Sequence, residues 1–285
     1  MTRKLHIPVV EINVTEHCNL QCHCCVHSAP LLPPRFVSPT EVTTDLDALS
    51  QAASVVELRI VGGEPLLHPK LLDVMLAARS VHIARWLTLV TNGTLLSSMD
   101  IKVWRHIDGM WVSLYPGVTV DMDWNQLRKR ALESDTWLWI KQCEYFDDSL
   151  LRTRNTNGAL VQWIYERCIT HPPRFSYCTI RKHRFFMCQR GAYMQDRLHS
   201  LGVEYECESA DGIALHNDSE LAGTIADYLG REQPLRSCAY CLGSAGQPVP
   251  CAQELRAKTT DRVPEQPINS KLAHDIVFPG LMSEG

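Results

Sequence analysis

The stretch "TEHCNLQCHCCVHS", residues 15 to 28, constrains this chain more than any other. Cys18, Cys22, Cys24 and Cys25 fall within eight positions, with His17, His23 and His27 among them. Thiols this dense either pair as disulfides or converge on a metal centre. With 285 residues and 45% hydrophobic content, the chain can bury a sizeable core and needs no disulfide staples. Its start, "MTRKLHIPVVEINV", runs straight into a strand-like alternation and lacks the long apolar stretch and cleavage site of an export signal. Metal ligation in a cytoplasmic protein is therefore the expectation. A net charge of −4 argues against a nucleic-acid surface, and the absence of any 18-residue apolar run argues against a membrane span.

Short β-branched runs alternate with helix-like segments through the first half. Strands are expected over 9–15, 55–62, 86–93, 110–117 and 136–143, and helices near 39–53, 68–80, 100–106 and 122–134. "SPTEV" supplies a cap for the first helix. This alternation predicts an α/β fold with a parallel sheet, either doubly wound or a barrel. In both, sites form at the C-terminal strand ends. The cysteine loop, "GGEP" (62–65) and "TNG" (91–93) all fall there.

Three thiolates in one loop can hold three irons of a [4Fe–4S] cluster and leave the fourth open, because soft sulfur suits iron–sulfur centres. Spacing alone also allows a structural zinc, with a spare His or Cys as fourth ligand. Cys18, Cys22 and Cys25 form a CxxxCxxC, and with "GGEP" after the second strand the chain resembles the radical S-adenosylmethionine (SAM) superfamily over residues 9 to about 145. The resemblance implies a partial (β/α)6 TIM-like barrel. It further implies that SAM chelates the open iron and, on reduction, releases a 5′-deoxyadenosyl radical that abstracts a substrate hydrogen. Gly62 and Gly63 let backbone approach the cofactor, Glu64 accepts from the methionyl ammonium, and Asn92 and Ser113 touch SAM's ribose and carboxylate. Cys24 replaces the usual aromatic before the third cysteine and reads as a small buried filler.

Eight further cysteines lie from Cys143 to Cys251. "RFSYCTIRKHRFFMCQR" reads as a hairpin turning near Lys182 and His183. A turn centred on His183 would set Cys178 opposite Cys188, on one face. With Cys238 and Cys241 they make a four-cysteine set, for which Cys168 is the rival to Cys178 and zinc the rival to iron. The set resembles the shortened auxiliary-cluster domain called twitch, and implies a second [4Fe–4S] cluster. Helices are expected near 189–201 and 218–230. The expected domains are the barrel core at 1–150, the auxiliary domain at 151–258 and a C-terminal extension at 259–285. Cys143 and Cys207 read as small buried hydrophobes.

Within the superfamily the "CLGSAG" loop and short barrel look most like aminoglycoside epimerases of the neomycin C epimerase type. That likeness implies inversion of a sugar C–H centre, with Cys251, left over from the ligand sets, as the catalytic thiol that donates hydrogen from the opposite face. Glu144, Asp147 and Asp148 are expected to bind a cationic sugar substrate through its ammonium groups. An external flavodoxin- or ferredoxin-type protein would donate electrons. The alternatives are a radical SAM dehydrogenase, with the second cluster as electron acceptor, and a non-catalytic metal-stapled interaction protein.

Overall fold

The computed structural model describes residues 4–171, 177–205 and 211–252. The expected strands form as β1 (Leu5–Thr15), β2 (Ala53–Gly62), β3 (Ala84–Thr91), β4 (Gly109–Leu114) and β5 (Trp137–Gln142). The intervening helices are α1 (Pro39–Ala52), α2 (Leu71–Ser80), α3 (Ile101–Trp104) and α4 (Trp124–Glu133). The first helix starts as its sequence dictates. Glu41 N–H donates to Ser38 Oγ (3.2 Å), Ser38 N–H donates to Glu41 Oε2 (2.9 Å), and Pro39 follows the cap.

Each of these strands pairs in parallel with the next. A sixth parallel strand, β7 (Tyr177–Arg181), lies on the other side of β1 in an eight-stranded sheet of order β5-β4-β3-β2-β1-β7-β8-β9, where β8 is Arg184–Phe186 and β9 is Ile213–Ala214. This is the mostly parallel α/β sheet expected of a partial barrel. It also crosses the boundary expected at residue 150, because the sixth strand comes from beyond it. The extension at 259–285 lies outside the described residues. Between β5 and β7 the chain forms β6 (Tyr145–Asp148) and α5 (Gly158–Arg167). After β8 it forms α6 (Gln189–Ser200) and a helix at Leu221–Leu229, and β10 (Gln247–Pro250) returns to pair antiparallel with β6.

Alternate positions of each strand divide the sheet's two faces. Val10, Ile12, Val14, Leu58, Ile60, Leu87, Leu89, Met110, Val112 and Ile180 pack with Val42, Leu46, Leu49, Val74 and Met75 of the helices in one core. The other face lines the barrel interior and is polar: Glu11 pairs in register with Arg59 and Thr179, and Arg59 with Thr88.

The hairpin differs from expectation by one residue. Lys182 and His183 both take positive φ (50° and 59°), and Arg181 pairs with Arg184. A two-residue turn of this hand has its centre between the two residues, not on His183. Continuing the register sets Cys178 opposite Met187, and a one-residue slip exchanges faces. Cys178 is therefore fully buried in the helix-side core, level with Val10 of β1. Among the described residues no helix is long and apolar enough to cross a membrane.

Candidate functional site: two cysteine centres joined by one helix

The cysteine loop leaves β1 at Thr15, and "GGEP" leaves β2 beside it. Gly63 N–H donates to the Thr15 carbonyl and Glu64 N–H to the His17 carbonyl, each at 2.8 Å. A Cβ at Gly62 (φ 152°) would collide with the Thr15 carbonyl, and one at Gly63 with the His17 carbonyl and Cys18 Cβ. Both glycines are thus required so that one loop can pass the other. Cys18, Cys22 and Cys25 converge: burial first, and then each other's thiols, push Cys18 up to about 12. Cys24 takes the left-handed conformation (φ 58°), and its thiol is hydrogen-bonded to Asp148. The ligand atoms of His23, Cys24 and Asp148 lie within 4.8 Å of one another. Cys18, Cys22 and Cys25 offer three electrostatically coupled thiols from one loop at CxxxCxxC spacing, a soft-sulfur donor set that suits a cluster with one exchangeable iron, so the loop fits that group.

Glu64 is completely buried and clamps strand ends together. Its Oε1 accepts from Leu66 N–H (3.0 Å) and Thr91 Oγ1 (2.8 Å), and its Oε2 from Asn92 N–H (2.7 Å). Burial pushes its carboxyl up to about 7 despite these bonds. One of its four acceptor positions stays open to a ligand. Asn92 Nδ2 donates to Asn19 Oδ1 (2.9 Å) and its Oδ1 accepts from Thr94, so this amide fixes the cysteine loop to the third strand end. Ser113, one strand further, is hydrogen-bonded to Tyr115 and Cys143.

Cys251 closes the same mouth. Its N–H donates to the Glu144 carbonyl (2.8 Å), continuing the β10–β6 ladder, and the next carbonyl, of Ala252, accepts from His23 N–H (2.8 Å). The Cys251 thiol is buried. Burial, then the neighbouring thiols of Cys143 and Cys22, push it up to about 12, so the S–H stays intact at neutral pH. The glycine- and proline-rich loop "GSAGQPVP" carries the chain back to the cysteine loop through this strand.

A second cavity is lined by Cys168, Cys188, Cys238 and Cys241, with Arg190 beside them. Cys168, not Cys178, completes this set, for the register reason given above. Gly243 (φ 55°) leaves room for Cys168, whose Sγ would lie 3.1 Å from an added Cβ. Cys188 caps α6, and Gly243 N–H donates to Cys241 Sγ (3.2 Å). Four thiols and an adjacent guanidinium suit an anionic iron–sulfur cluster or a tetrathiolate zinc. α6 links the two centres: Cys188 and Arg190 belong to the second, and Arg197 Nη1 donates to the Cys25 carbonyl (3.1 Å) of the first.

The three acids expected to meet substrate differ in their surroundings. Asp147 pairs with Arg190 (3.3 Å), Asp148 is buried against Cys24, and Glu144 is exposed. Cys143 is buried, as its sequence reading expects, and it also borders Cys251 and Ser113. Sequence reasoning passed over Glu11, Glu57 and Arg59. Their signal was present: "VVEINVT" and "VVELRIVG" carry polar residues two apart inside otherwise apolar strands.

Residues 12–123 match the family model described as Radical SAM superfamily, a span that holds the cysteine loop, "GGEP", Asn92 and Ser113. This segment is similar to radical SAM domains, a likeness that points to SAM and one [4Fe–4S] cluster. Among curated proteins, GTP 3′,8-cyclase of Chlorobaculum tepidum is 33% identical over 109 residues, 38% of this chain and 33% of that protein. Molybdenum cofactor biosynthesis protein 1 of Bos taurus is 32% identical over 96 residues, 33% of this chain and 15% of that protein. The chain thus spans a third or less of the length of these relatives. Among solved structures, BtrN in complex with AdoMet and 2-DOIA aligns with a TM-score of 0.44 and 15% identity, covering 68% of this chain and 77% of that one. Streptococcus suis SuiB bound to S-adenosylmethionine aligns at 0.42 and 15%, covering 77% and 68%.

Proposed function

We propose that this chain is a radical SAM epimerase that inverts a C–H centre of an amino sugar, with Cys251 as hydrogen donor. Cys18, Cys22 and Cys25 hold the first cluster, and Glu64, Gly62, Gly63, Asn92 and Ser113 border its SAM. When bound there, the cluster and SAM would supply the radical chemistry that removes a hydrogen atom from a substrate carbon. The observation that carries the reading is the placement of Cys251: a buried, protonated thiol in no four-cysteine set, fixed by backbone hydrogen bonds at the cysteine loop. A thiol S–H is weak enough to return hydrogen to a carbon radical. The resulting Cys251 thiyl regains its proton from solvent and its electron from an external flavodoxin- or ferredoxin-type donor. The segment shared with the GTP 3′,8-cyclase of Chlorobaculum tepidum is 38% of the chain and supports common cofactor chemistry rather than a common substrate.

A second reading, dehydrogenation, is favoured by the set of Cys168, Cys188, Cys238 and Cys241, which would hold a cluster able to accept an electron from a substrate radical. Product analysis in deuterated water with aminoglycosides separates the two. An isomeric product carrying one solvent deuteron supports epimerisation; loss of two mass units supports dehydrogenation. Cys251→Ala should keep its iron and still form 5′-deoxyadenosine, yet give little inverted product. Normal inversion by this variant removes Cys251 from the role.

A further inference from the structure

Five buried polar atoms without a hydrogen-bond partner among the described residues gather inside the barrel: Glu11 Oε2, Glu57 Oε1, Arg59 Nε, Thr88 Oγ1 and Trp111 Nε1. They come from four adjacent strands, β1 to β4. Glu11, Arg59 and Thr88 form one registered row, and Glu57 lies two residues below Arg59 on the same face. Glu11 is 7% exposed, Arg59 3% and Thr88 0%. Buried polar groups in folded proteins are nearly always satisfied, so a concentration of exceptions on one inner face marks a place that needs polar partners from outside the chain, water or ligand.

The charges say which kind. Arg59 Nη2 pairs with Glu57 at 2.8 Å, whereas its contact with Glu11 is loose, at 3.9 Å. The guanidinium is held between the rings of Trp111 (4.7 Å) and Tyr177 (4.9 Å), so it cannot swing towards Glu11 without leaving both. Two carboxylates therefore face one closely held cation, and Glu11 is the under-compensated member. Lys141, on the exposed rim of β5, stands over Trp111 at 5.5 Å and lies within electrostatic reach of Glu11 below it and of Cys143 and Cys251 above it. The row lies four residues below Thr15, about 13 Å down the strands from the cysteine loop.

We propose that Glu11 is the ammonium-recognising residue of the substrate site, with Glu57, Thr88 and the Trp111 indole N–H taking hydroxyl or amino groups of the same ligand. The substrate class is a polyhydroxylated amine bearing at least one free ammonium. This rests on the amino-sugar reading above, but it places recognition on the barrel's inner face rather than at Glu144, Asp147 and Asp148.

The test is calorimetric binding to the reconstituted protein with SAM, using neomycin and its per-N-acetylated derivative. Wild type should bind the free amine and discriminate against the acetylated form. Glu11→Gln, of the same size, should weaken neomycin binding at least about tenfold, since a hydrogen bond to a charged group contributes roughly 1.5–3 kcal/mol. Asp147→Asn should leave it unchanged. Iron content equal to wild type and a cooperative unfolding transition establish that Glu11→Gln is folded; if it is not, Thr88→Val serves as the second variant, with a smaller loss in the same direction. Unchanged affinity in a folded Glu11→Gln protein, or equal wild-type affinity for both compounds, overturns the proposal. If wild type binds neither compound, the amino-sugar reading falls with it. If Glu11→Gln loses affinity as expected but wild type yields no inverted product, the recognition site stands and the epimerase reading fails.

Discussion

At Glu64 a single carboxylate closes three donors in a fully buried position, and only an acceptor on both oxygens serves. Glu64→Gln turns one oxygen into an NH2 group, which faces either Asn92 N–H or the Leu66 and Thr91 donors. A buried donor without a partner costs about 1–3 kcal/mol, so denaturant unfolding of the metal-free protein should show a loss of that size before any effect on SAM is considered. Glu11 offers a titration test. Burial raises both Glu11 and Glu64 from 4.5 to about 7. Between those values the folded chain keeps protons that the unfolded chain has released, so each group's contribution falls as pH rises. Half-buried His27, lowered to about 4, acts in the opposite direction between 4 and 6.5. Comparison with Glu11→Gln isolates one group: relative to wild type, that variant should gain stability from pH 5 to pH 8, by up to about 3 kcal/mol. A stability difference flat with pH would mean that Glu11 is not raised.

For the elements, a turn and a loop crossing decide which thiols meet. The type I′-like turn at Lys182 and His183 places Cys178 in the barrel wall and leaves Cys188 to open α6. Cys178→Val should therefore leave unchanged whatever metal the second cysteine set takes up on reconstitution, whereas Cys168→Ala should lose it. The reverse pattern, read by metal analysis, would restore Cys178 to the ligand set. At the other centre, Gly63→Ala forces the His17 carbonyl and Cys18 apart from "GGEP". Reconstituted protein should then lack the first cluster's iron and SAM cleavage while retaining the second centre's metal, because the four cysteines of the latter stand on α5, α6 and the "CAYC" turn, away from this crossing.

In the whole molecule, the two centres and the barrel share parts, and this is where sequence and tertiary structure divide the work. Strand–helix alternation, the Ser38 cap, CxxxCxxC and "GGEP" are local in the chain. Periodicity and residue spacing therefore sufficed for the parallel α/β sheet and the cysteine loop at its C-terminal edge, whereas the choice of Cys18, Cys22 and Cys25 over Cys24 rests on the family resemblance. Three other features depend on how distant segments register, and spacing does not encode that. The sixth barrel strand comes from beyond residue 150, because β7 finds β1 rather than a separate domain. Cys168 replaces Cys178, because half a residue in the position of a turn exchanges two faces of a strand. Glu11, Arg59 and Thr88 became neighbours only when three strands aligned in parallel, since each looks like an isolated polar residue in its own apolar run. The soft-sulfur and glycine-bearing loops at the strand ends are legible in residue order alone. Which thiols share a centre and which charges face into the barrel emerge only in the folded sheet, because both depend on register between strands and not on order along the chain.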